Sequence, residues 1–197
     1  MRFGKYYDMV QKYSLKGLRI AILATDGFEQ PELLEPRKAL EDAGARVEVV
    51  APAAGKIQGF KHHDKGDAVQ VDVVLSSARP ADYAALLMPG GALNADELRA
   101  EPAAVAFAKA FFDDDKPVAA ICHAFWTLVE SGVLAGRTLT SWPSIQTDIR
   151  NAGGTWVDRE VVVDGNFISS RKPDDIPAFN AKMLETFARA GQPQPVR

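Results

Sequence analysis

Short apolar runs alternate along the chain with segments whose apolar residues recur at helical spacing. Apolar runs without polar alternation are typical of strands buried on both faces of a sheet. Predicted strands cover residues 18–24, 46–50, 69–75, 83–88, 118–121 and 139–141, and two more lie within 155–170, joined at Asp164-Gly165-Asn166. Predicted helices cover residues 32–42, 103–112, 144–151 and 174–188. Residues 51–68, rich in Gly, Lys and His, predict turns or a small hairpin.

This alternation of strands and helices predicts an α/β fold with a mostly parallel sheet and helices on both of its faces. The sequence shows no internal repeat and no linker, so residues 17–190 are expected to form a single domain. Residues 1–16 lie outside the pattern and predict a short amphipathic arm, since Tyr6, Met9, Val10 and Tyr13 recur at helical spacing. The proline-rich tail, residues 191–197, is expected to be frayed.

The composition argues against several classes of function. Of the 197 residues, 47% are hydrophobic and 25% are charged, which is enough for one substantial core. The net charge of −3 provides no basic surface for nucleic acid. No apolar run approaches the length of a membrane span, and the N-terminus lacks the apolar segment of a secretory signal. A single cysteine fits a reducing compartment, so we expect a cytoplasmic protein.

The single cysteine lies where the pattern changes from strand to helix. Residues 118–121 form a short apolar run, after which Phe125, Leu128 and Val129 recur at helical spacing. Cys122 and His123 therefore occupy the turn. Backbone N–H groups at the start of a helix favour a thiolate, and an imidazole can take and return its proton near neutral pH. The position predicts a thiolate nucleophile, against the alternative that Cys122 is a small buried hydrophobic residue.

Two further predicted strands end at the same edge of the sheet with residues that a thiol site needs. The backbone N–H groups of Gly91 and His123 are candidate donors to an oxyanion, and the loop after the first strand carries Glu29 and Glu32. A carboxyl group beside a cysteine can donate or accept a hydrogen bond, depending on its protonation. For each glutamate, a solvated loop charge or a residue at the start of a helix is the alternative.

Other chemically versatile residues do not predict a separate site. His62 and His63 are adjacent, and adjacent residues rarely ligate one ion together, so no metal is expected. Trp126, Trp142 and Trp156 adjoin apolar segments, which favours packing in the core or at an interface. Trp126 and Trp142 also follow predicted strands near the cysteine, where they are candidates for the wall of its pocket.

Five segments in this order resemble the PfpI/ThiJ family of the class I glutamine amidotransferase-like superfamily. They read ATDGFEQPEL at 24–33, LMPGG at 87–91, KPVAAICH at 116–123, GRTLTS at 136–141 and VVVDGNFISSRKPDD at 161–175. The resemblance covers about residues 17–188. It implies a flavodoxin-like three-layer sandwich, with the cysteine on a nucleophile elbow in a strained backbone conformation.

The resemblance also implies roles for individual residues. Cys122 matches the family's nucleophile, His123 its neighbouring histidine and Glu32 the glutamate that contacts the sulfur. Gly91, with Gly90 beside it, matches the glycine of the oxyanion pocket. No cofactor and no metal is implied, and the substrate is a small carbonyl compound or a peptide.

The family's assembly implies one further site residue. In relatives with a Cys-His pair, an acidic residue after the Gly-Gly turn reaches across a subunit interface to the histidine. Asp96 is the best match to that residue, with Glu97 as the alternative. The resemblance therefore implies a homo-oligomer, either a dimer or a hexamer built from dimers.

One departure from the family pattern bears on the substrate. Relatives usually have Gly-Pro after Cys-His, whereas this chain has Ala124 and Phe125. We expect a different pocket rim, with Glu29, Ala124 and Trp126 as candidate substrate-binding residues.

The resemblance implies two alternative functions. The first is a cysteine-dependent stress-response enzyme with peptidase, glyoxalase or deglycase chemistry. The second is a redox-sensing or chaperone-like stress protein that uses oxidation of the same cysteine.

Overall fold

A seven-stranded sheet forms the centre of the molecule. The structure is a computed structural model, and it describes residue 4 and residues 10–190. Along the chain, the strands of this sheet are β1 (Arg19–Leu23), β3 (Arg46–Ala51), β6 (Val73–Val74), β7 (Ala85–Met88), β8 (Val118–Ile121), β11 (Val161–Asp164) and β12 (Phe167–Ser170). Their spatial order is β11-β12-β8-β7-β1-β3-β6, and only β11 is antiparallel to its neighbour.

The central strands are apolar because both faces of the sheet are covered. All four residues of β7 and of β8 are buried. On one face pack the helices α1 (Gln30–Asp42) and α6 (Ile176–Ala190), and on the other pack α2 (Ala92–Arg99), α3 (Pro102–Asp113), α4 (Phe125–Glu130) and α5 (Gln146–Asn151). Two hydrophobic cores result, one on each side of the sheet. The predicted three-layer arrangement is confirmed.

A small second sheet stands beside the carboxyl end of β1. It consists of β2 (Phe28–Glu29), β4 (Lys56–Lys61) and β5 (Asp64–Gln70), in the order β2-β4-β5. The hairpin expected within residues 51–68 is therefore present, although its second strand runs beyond that range. His62, at the tip of the hairpin, has a φ of 57°. The pairing of β2 with β4 brings this tip next to Glu29.

Several predicted elements differ from the structure. The strand predicted at 69–75 is divided, because β5 ends at Gln70 and the main sheet resumes only at Val73. The strand predicted at 139–141 is the two-residue β9 (Thr138–Leu139), which pairs with β10 (Thr155–Trp156) outside the main sheet. Helix α2 was not predicted, because it is short and its buried positions include the polar residue Asn94.

The two chain ends fall mainly outside the described residues. Tyr6 and Met9 of the predicted arm and the tail at 191–197 are among the residues not described. Val10 is buried in the core beneath α1 and α6, and Tyr13 packs against that core. Within the described part of the chain, no helix combines the length and apolar character needed to cross a membrane.

Candidate active site

Cys122 forms a sharp turn between β8 and α4. Its φ of 63° lies in the left-handed region, which costs a residue with a side chain roughly 1–3 kcal/mol. Two long-range hydrogen bonds hold this conformation. The Cys122 N–H donates to the Ser170 carbonyl at 3.1 Å, and the Cys122 carbonyl accepts from the Trp142 N–H at 3.1 Å. The surrounding strands thus impose the elbow that the resemblance implied.

The imidazole of His123 lies beside the sulfur. Cys122 Sγ is 3.3 Å from His123 Nδ1, within hydrogen-bonding distance for a thiol. Burial lowers the pKa of His123, so the ring is neutral at pH 7 and its Nδ1 can accept the thiol proton. The pair therefore has the geometry of a nucleophile with its general base.

Two indole rings enclose the imidazole. Trp142 stacks on His123 with ring centroids 5.8 Å apart and an interplanar angle of 28°. Trp126 meets the same ring edge to face at 5.2 Å and 63°. The Trp126 indole N–H donates to Asp148 Oδ2 at 2.9 Å, which fixes its orientation. The two tryptophans therefore orient the imidazole and shield it from water.

Glu32 is the fully buried acid of the site. It lies in the first turn of α1, and its Oε2 accepts the Gly90 N–H at 2.9 Å. Its carboxyl group also contacts the Cys122 thiol. Burial raises the pKa of Glu32 to about 8, and the nearby charge of Glu29 acts in the same direction. Glu32 is therefore mainly protonated at pH 7 and can donate a hydrogen bond to sulfur.

The pKa of the Cys122 thiol is raised well above its ordinary value. Burial is the main cause, and a charged Glu32 adds to it, whereas the backbone N–H groups of Gly91 and His123 lower the pKa. This direction is opposite to the sequence-based prediction, which considered the backbone donors but not burial. The sulfur is therefore held as a thiol until His123 takes its proton.

The two glycines after β7 have different roles. The Gly90 N–H is bound to Glu32, and a Cβ at Gly90 would lie 2.5 Å from Glu32 Oε2 and 2.6 Å from Cys122 Cβ. Gly90 therefore positions the acid and does not supply a free donor. Gly91 has a φ of 94°, and a Cβ there would collide with the Gly27 carbonyl oxygen. Its N–H faces the sulfur, as does that of His123.

The sulfur and the imidazole open into a cavity of about 450 Å³. The cavity lies between the loop after β1, the tip of the β4–β5 hairpin, the start of α2 and the elbow. Its wall consists of Gly27, Glu29, Glu32, Phe60, His62, His63, Gly91, Ala92, Leu93, Cys122, His123, Trp142 and Pro173. Glu29 is largely buried in this wall, so it is not a solvated loop charge.

Four residues that were predicted for the site, counting the alternative acid Glu97, lie outside the cavity wall as the described chain forms it. Ala124 is buried in the core, and its N–H donates to the Ile121 carbonyl, so it does not form the pocket rim. Asp96 and Glu97 are exposed on α2, and the cavity wall in the described chain does not include them. Trp126 contacts His123 from outside that wall.

Several residues of the site were not predicted from the sequence, Asn94 and His62 among them. Asn94 is fully buried and holds the Gly-Gly turn, because its amide donates to the Pro89 and Gly90 carbonyls while its Oδ1 accepts the Thr25 N–H. His62 contributes the tip of the hairpin. The available sequence signal for Asn94 was an asparagine just after the Gly-Gly turn. His62 had no local signal, because its position depends on the pairing of β2 with β4.

The sequence model described as the DJ-1/PfpI family matches residues 18–186. This match includes Glu29 and Glu32, the Gly-Gly turn and the elbow. The chain belongs to the DJ-1/PfpI family.

Several relatives in this family resemble the chain closely. Deglycase TK1284 of Thermococcus kodakarensis is 44% identical over 169 residues, which are 85% of this chain and 98% of the relative. YraA of Bacillus subtilis, named as a candidate cysteine protease, is 43% identical over 166 residues, with 84% and 96% coverage. General stress protein 18 of the same organism is 44% identical over 170 residues, with 85% and 96% coverage.

Solved structures of the family share this architecture. A two-domain protein of Anabaena variabilis, with DJ-1/ThiJ/PfpI-like and ferritin-like domains, superposes with a TM-score of 0.82 at 31% identity, covering 88% of this chain and 49% of that protein. Drosophila melanogaster DJ-1beta gives a TM-score of 0.78 at 25% identity, with 87% and 90% coverage. The predicted flavodoxin-like fold is confirmed.

Replacing Glu32 by glutamine is predicted to lower the pKa of Cys122. Glutamine keeps a donor for the sulfur and removes the carboxylate charge that raises the pKa of the thiol. The rate of Cys122 alkylation by iodoacetamide, followed against pH, should have its inflection at lower pH in Glu32→Gln than in the wild type. Glu32→Ala, which lacks the donor, should show a smaller decrease. If the pH of the inflection is the same in both variants as in the wild type, the contact between Glu32 and the Cys122 thiol is contradicted.

Replacing Trp142 by leucine is predicted to raise the pKa of His123. Burial lowers this pKa, and loss of the stacked indole lets water reach the ring. An NMR titration of the imidazole measures the change directly. Trp156→Leu is the matched control, because the Trp156 indole donates to Ser141 and lies outside the cavity wall. Equal titration of His123 in both variants and the wild type is the contradicting result.

Proposed function

We propose that this protein is a cysteine-dependent enzyme in which the Cys122 sulfur attacks a carbonyl carbon. The observation that carries the proposal is the 3.3 Å contact between Cys122 Sγ and the Nδ1 of a neutral His123. As the new C–S bond forms, the thiol proton passes to Nδ1 and the carbonyl π electrons move to oxygen. The N–H groups of Gly91 and His123 support the oxyanion.

The later steps use the same residues. The proton held by His123 returns either to the oxyanion or to a leaving amine, as in general acid catalysis. Glu32 remains protonated at pH 7 and donates to sulfur, which stabilises negative charge on the sulfur when the C–S bond breaks. The elbow holds the sulfur, the imidazole and the Glu32 carboxyl group close together. The proposed cycle uses no metal and no nucleotide cofactor.

We propose a small carbonyl compound, or its adduct with an amine, as the substrate. The cavity of about 450 Å³ accommodates a small molecule, and the names deglycase and cysteine protease among the relatives support carbonyl chemistry of this kind. We favour deglycase or glyoxalase activity over peptidase activity, because a cavity of about 450 Å³ holds a small carbonyl compound more readily than a peptide segment. A single catalytic thiol stays reduced most readily in a reducing compartment, and we propose the cytoplasm.

A second candidate function is oxidation sensing by the same thiol. The supporting observation is that Glu32 Oε1 is buried and has no hydrogen-bond partner of its own among the described N and O atoms. Two equivalents of peroxide would convert the thiol to a sulfinic acid through a sulfenic acid, with release of water. A protonated Glu32 would then donate to a sulfinate oxygen, and the relative named as a general stress protein is consistent with such a role.

We also propose that a second copy of the chain completes the site. Leu93, beside the cavity on α2, is 52% exposed, and Asp96 lies on the next turn of the same helix. In an oligomer that covers α2, Asp96 of one subunit reaches the His123 of its neighbour, as the family resemblance implies. Glu97 is the alternative acid.

The enzyme proposal predicts that Cys122→Ser and His123→Ala each reduce methylglyoxal consumption by about 100-fold or more. The sensing proposal instead predicts that mild peroxide converts Cys122 of the wild type to the sulfinic acid whether or not the protein consumes a carbonyl compound. Methylglyoxal disappearance and intact-mass analysis after mild peroxide separate the two. A wild-type protein that consumes no methylglyoxal and hydrolyses no peptide, yet oxidises fully, would contradict enzymatic function.

The oligomer proposal predicts that Asp96→Asn lowers kcat by about tenfold or more, with little change in Tm. The substitution removes an orienting hydrogen bond to His123 and leaves the buried core unchanged. Asp113→Asn is the matched control, because Asp113 is exposed and pairs only with Lys109 among the described residues. Activity per chain should also fall on dilution. A monomer in sedimentation analysis that keeps full activity would contradict this assembly.

A further inference from the structure

Glu29 is a buried carboxylate that the proposed reaction does not use. Its residue is 9% exposed, and both carboxylate oxygens face the backbone N–H of His62, at 3.1 and 3.3 Å. A carboxylate offers about four lone-pair positions, and this one N–H occupies few of them. Within residues 10–190, the carboxylate of Glu29 forms no ion pair with a Lys, Arg or His side chain.

The neighbouring backbone holds this carboxylate in place. The Glu29 N–H donates to the Gly90 carbonyl at 3.2 Å, which ties the residue to the turn beside the sulfur. His62 keeps its N–H on the carboxylate from a left-handed conformation, with a φ of 57°. That conformation is uncommon for a residue with a side chain. The carboxylate is therefore fixed at the edge of the active site by two elements that approach from different sheets.

Glu29 also lies at the junction of two cavities. A second cavity, of about 370 Å³, adjoins the cysteine cavity and shares Glu29, His62 and Pro173 with it. Pro31, Leu34 and Pro173 give the second cavity an apolar surface. These residues offer no hydrogen-bonding side chain, so a ligand there is favoured if it has an apolar body.

The other polar residues of the second cavity do not compete for the same role. The Gln30 amide is occupied by Asp67, donating from Nε2 at 2.9 Å and accepting the Asp67 N–H at 2.6 Å. Glu35 and Lys61 are exposed, so water screens their charges. Glu29 is thus the buried charge of this wall, and a buried charge is stabilised by an opposite one.

We propose that Glu29 binds a protonated primary amine of the substrate, whose amine-bearing carbon carries both an alkyl chain that lies in the second cavity and the group that leads to the carbonyl in the first. The inference rests on the proposed function, because it assigns the carbonyl to Cys122 and the ammonium group to Glu29 of the same ligand. The substrate class is then a carbonyl compound that carries an alkylammonium group. A neutral or anionic group of the same size lacks the charge that Glu29 complements.

Direct binding of butylammonium to Cys122→Ala tests this site. The variant has no nucleophile, so NMR titration of the ligand reports binding without any reaction. We expect saturable binding that weakens about tenfold or more in Cys122→Ala/Glu29→Gln, because a hydrogen-bonded ion pair is replaced by a neutral contact. Glutamine keeps an acceptor for the His62 N–H. The matched control, Cys122→Ala/Glu35→Gln, changes an exposed carboxylate of the same cavity and should bind butylammonium nearly as well as the parent.

1-Butanol and salt make the test independent of the folding of the two double variants. In Cys122→Ala itself, 1-butanol should bind more weakly than butylammonium, and added NaCl should weaken only the binding of butylammonium. Equal affinity for the two ligands, or equal affinity for butylammonium with and without Glu29, would overturn the proposal. If Cys122→Ala binds butylammonium but the wild-type protein shows no turnover, the result contradicts the enzyme proposal alone. Turnover without Glu29-dependent binding would count against the ammonium site alone.

Discussion

The left-handed backbone of Cys122 is the constraint on which the site depends. It is held by the carbonyl of Ser170 on one neighbouring strand end and by the N–H of Trp142 in the loop after β9. A thiol in a regular strand would point into one of the two apolar cores. The turn instead places the sulfur beside Glu32 and His123, at the carboxyl edge of the parallel sheet. Backbone hydrogen bonds between strand and loop segments therefore also orient the side chain of Cys122.

Burial then decides how the three ionisable groups behave. It raises the pKa of Glu32 to about 8, raises that of Cys122 and lowers that of His123, so each neutral form is favoured. A site of neutral groups has a low desolvation penalty in the free protein. Charge separation occurs only when the proton moves from sulfur to imidazole, where backbone donors and the Glu32 carboxyl stabilise the sulfur. The reaction thus begins from an uncharged pair and not from a preformed thiolate.

Much of this arrangement could be predicted from the sequence because it depends on local patterns. Apolar runs located the β1, β7 and β8 strands, and the change of period located the turn at Cys122. The direction of the thiol pKa could not be predicted, because burial depends on how α1 packs over the sheet. Ala124 was misplaced for a related reason. Ala124 directly precedes α4 and packs into the core, which its closeness to Cys122 in the sequence does not reveal.

Long-range pairing explains the residues that were missed. His62 and Glu29 are far apart in sequence and meet only because β2 pairs with β4. Trp142, in contrast, was a candidate for the wall of the cysteine pocket, and it lies in that wall because its backbone N–H bonds to the Cys122 carbonyl. The Gly-Gly turn was predicted, but the different partners of its two N–H groups were not. The Gly90 N–H donates to Glu32 and the Gly91 N–H faces the sulfur because Glu32 is buried beside the turn. Local chemistry was therefore predictable, and contacts between loops were not.

The most direct measurement of the central claim is rapid quenching during turnover of methylglyoxal, followed by digestion of the protein and mass spectrometry of its peptides. We predict a transient adduct on the peptide that contains Cys122, which forms and decays at rates compatible with kcat. The adduct should be absent from Cys122→Ala, whose lysine and arginine residues report non-specific modification under the same conditions. Turnover at the wild-type rate without any adduct on Cys122 would contradict nucleophilic attack by the sulfur.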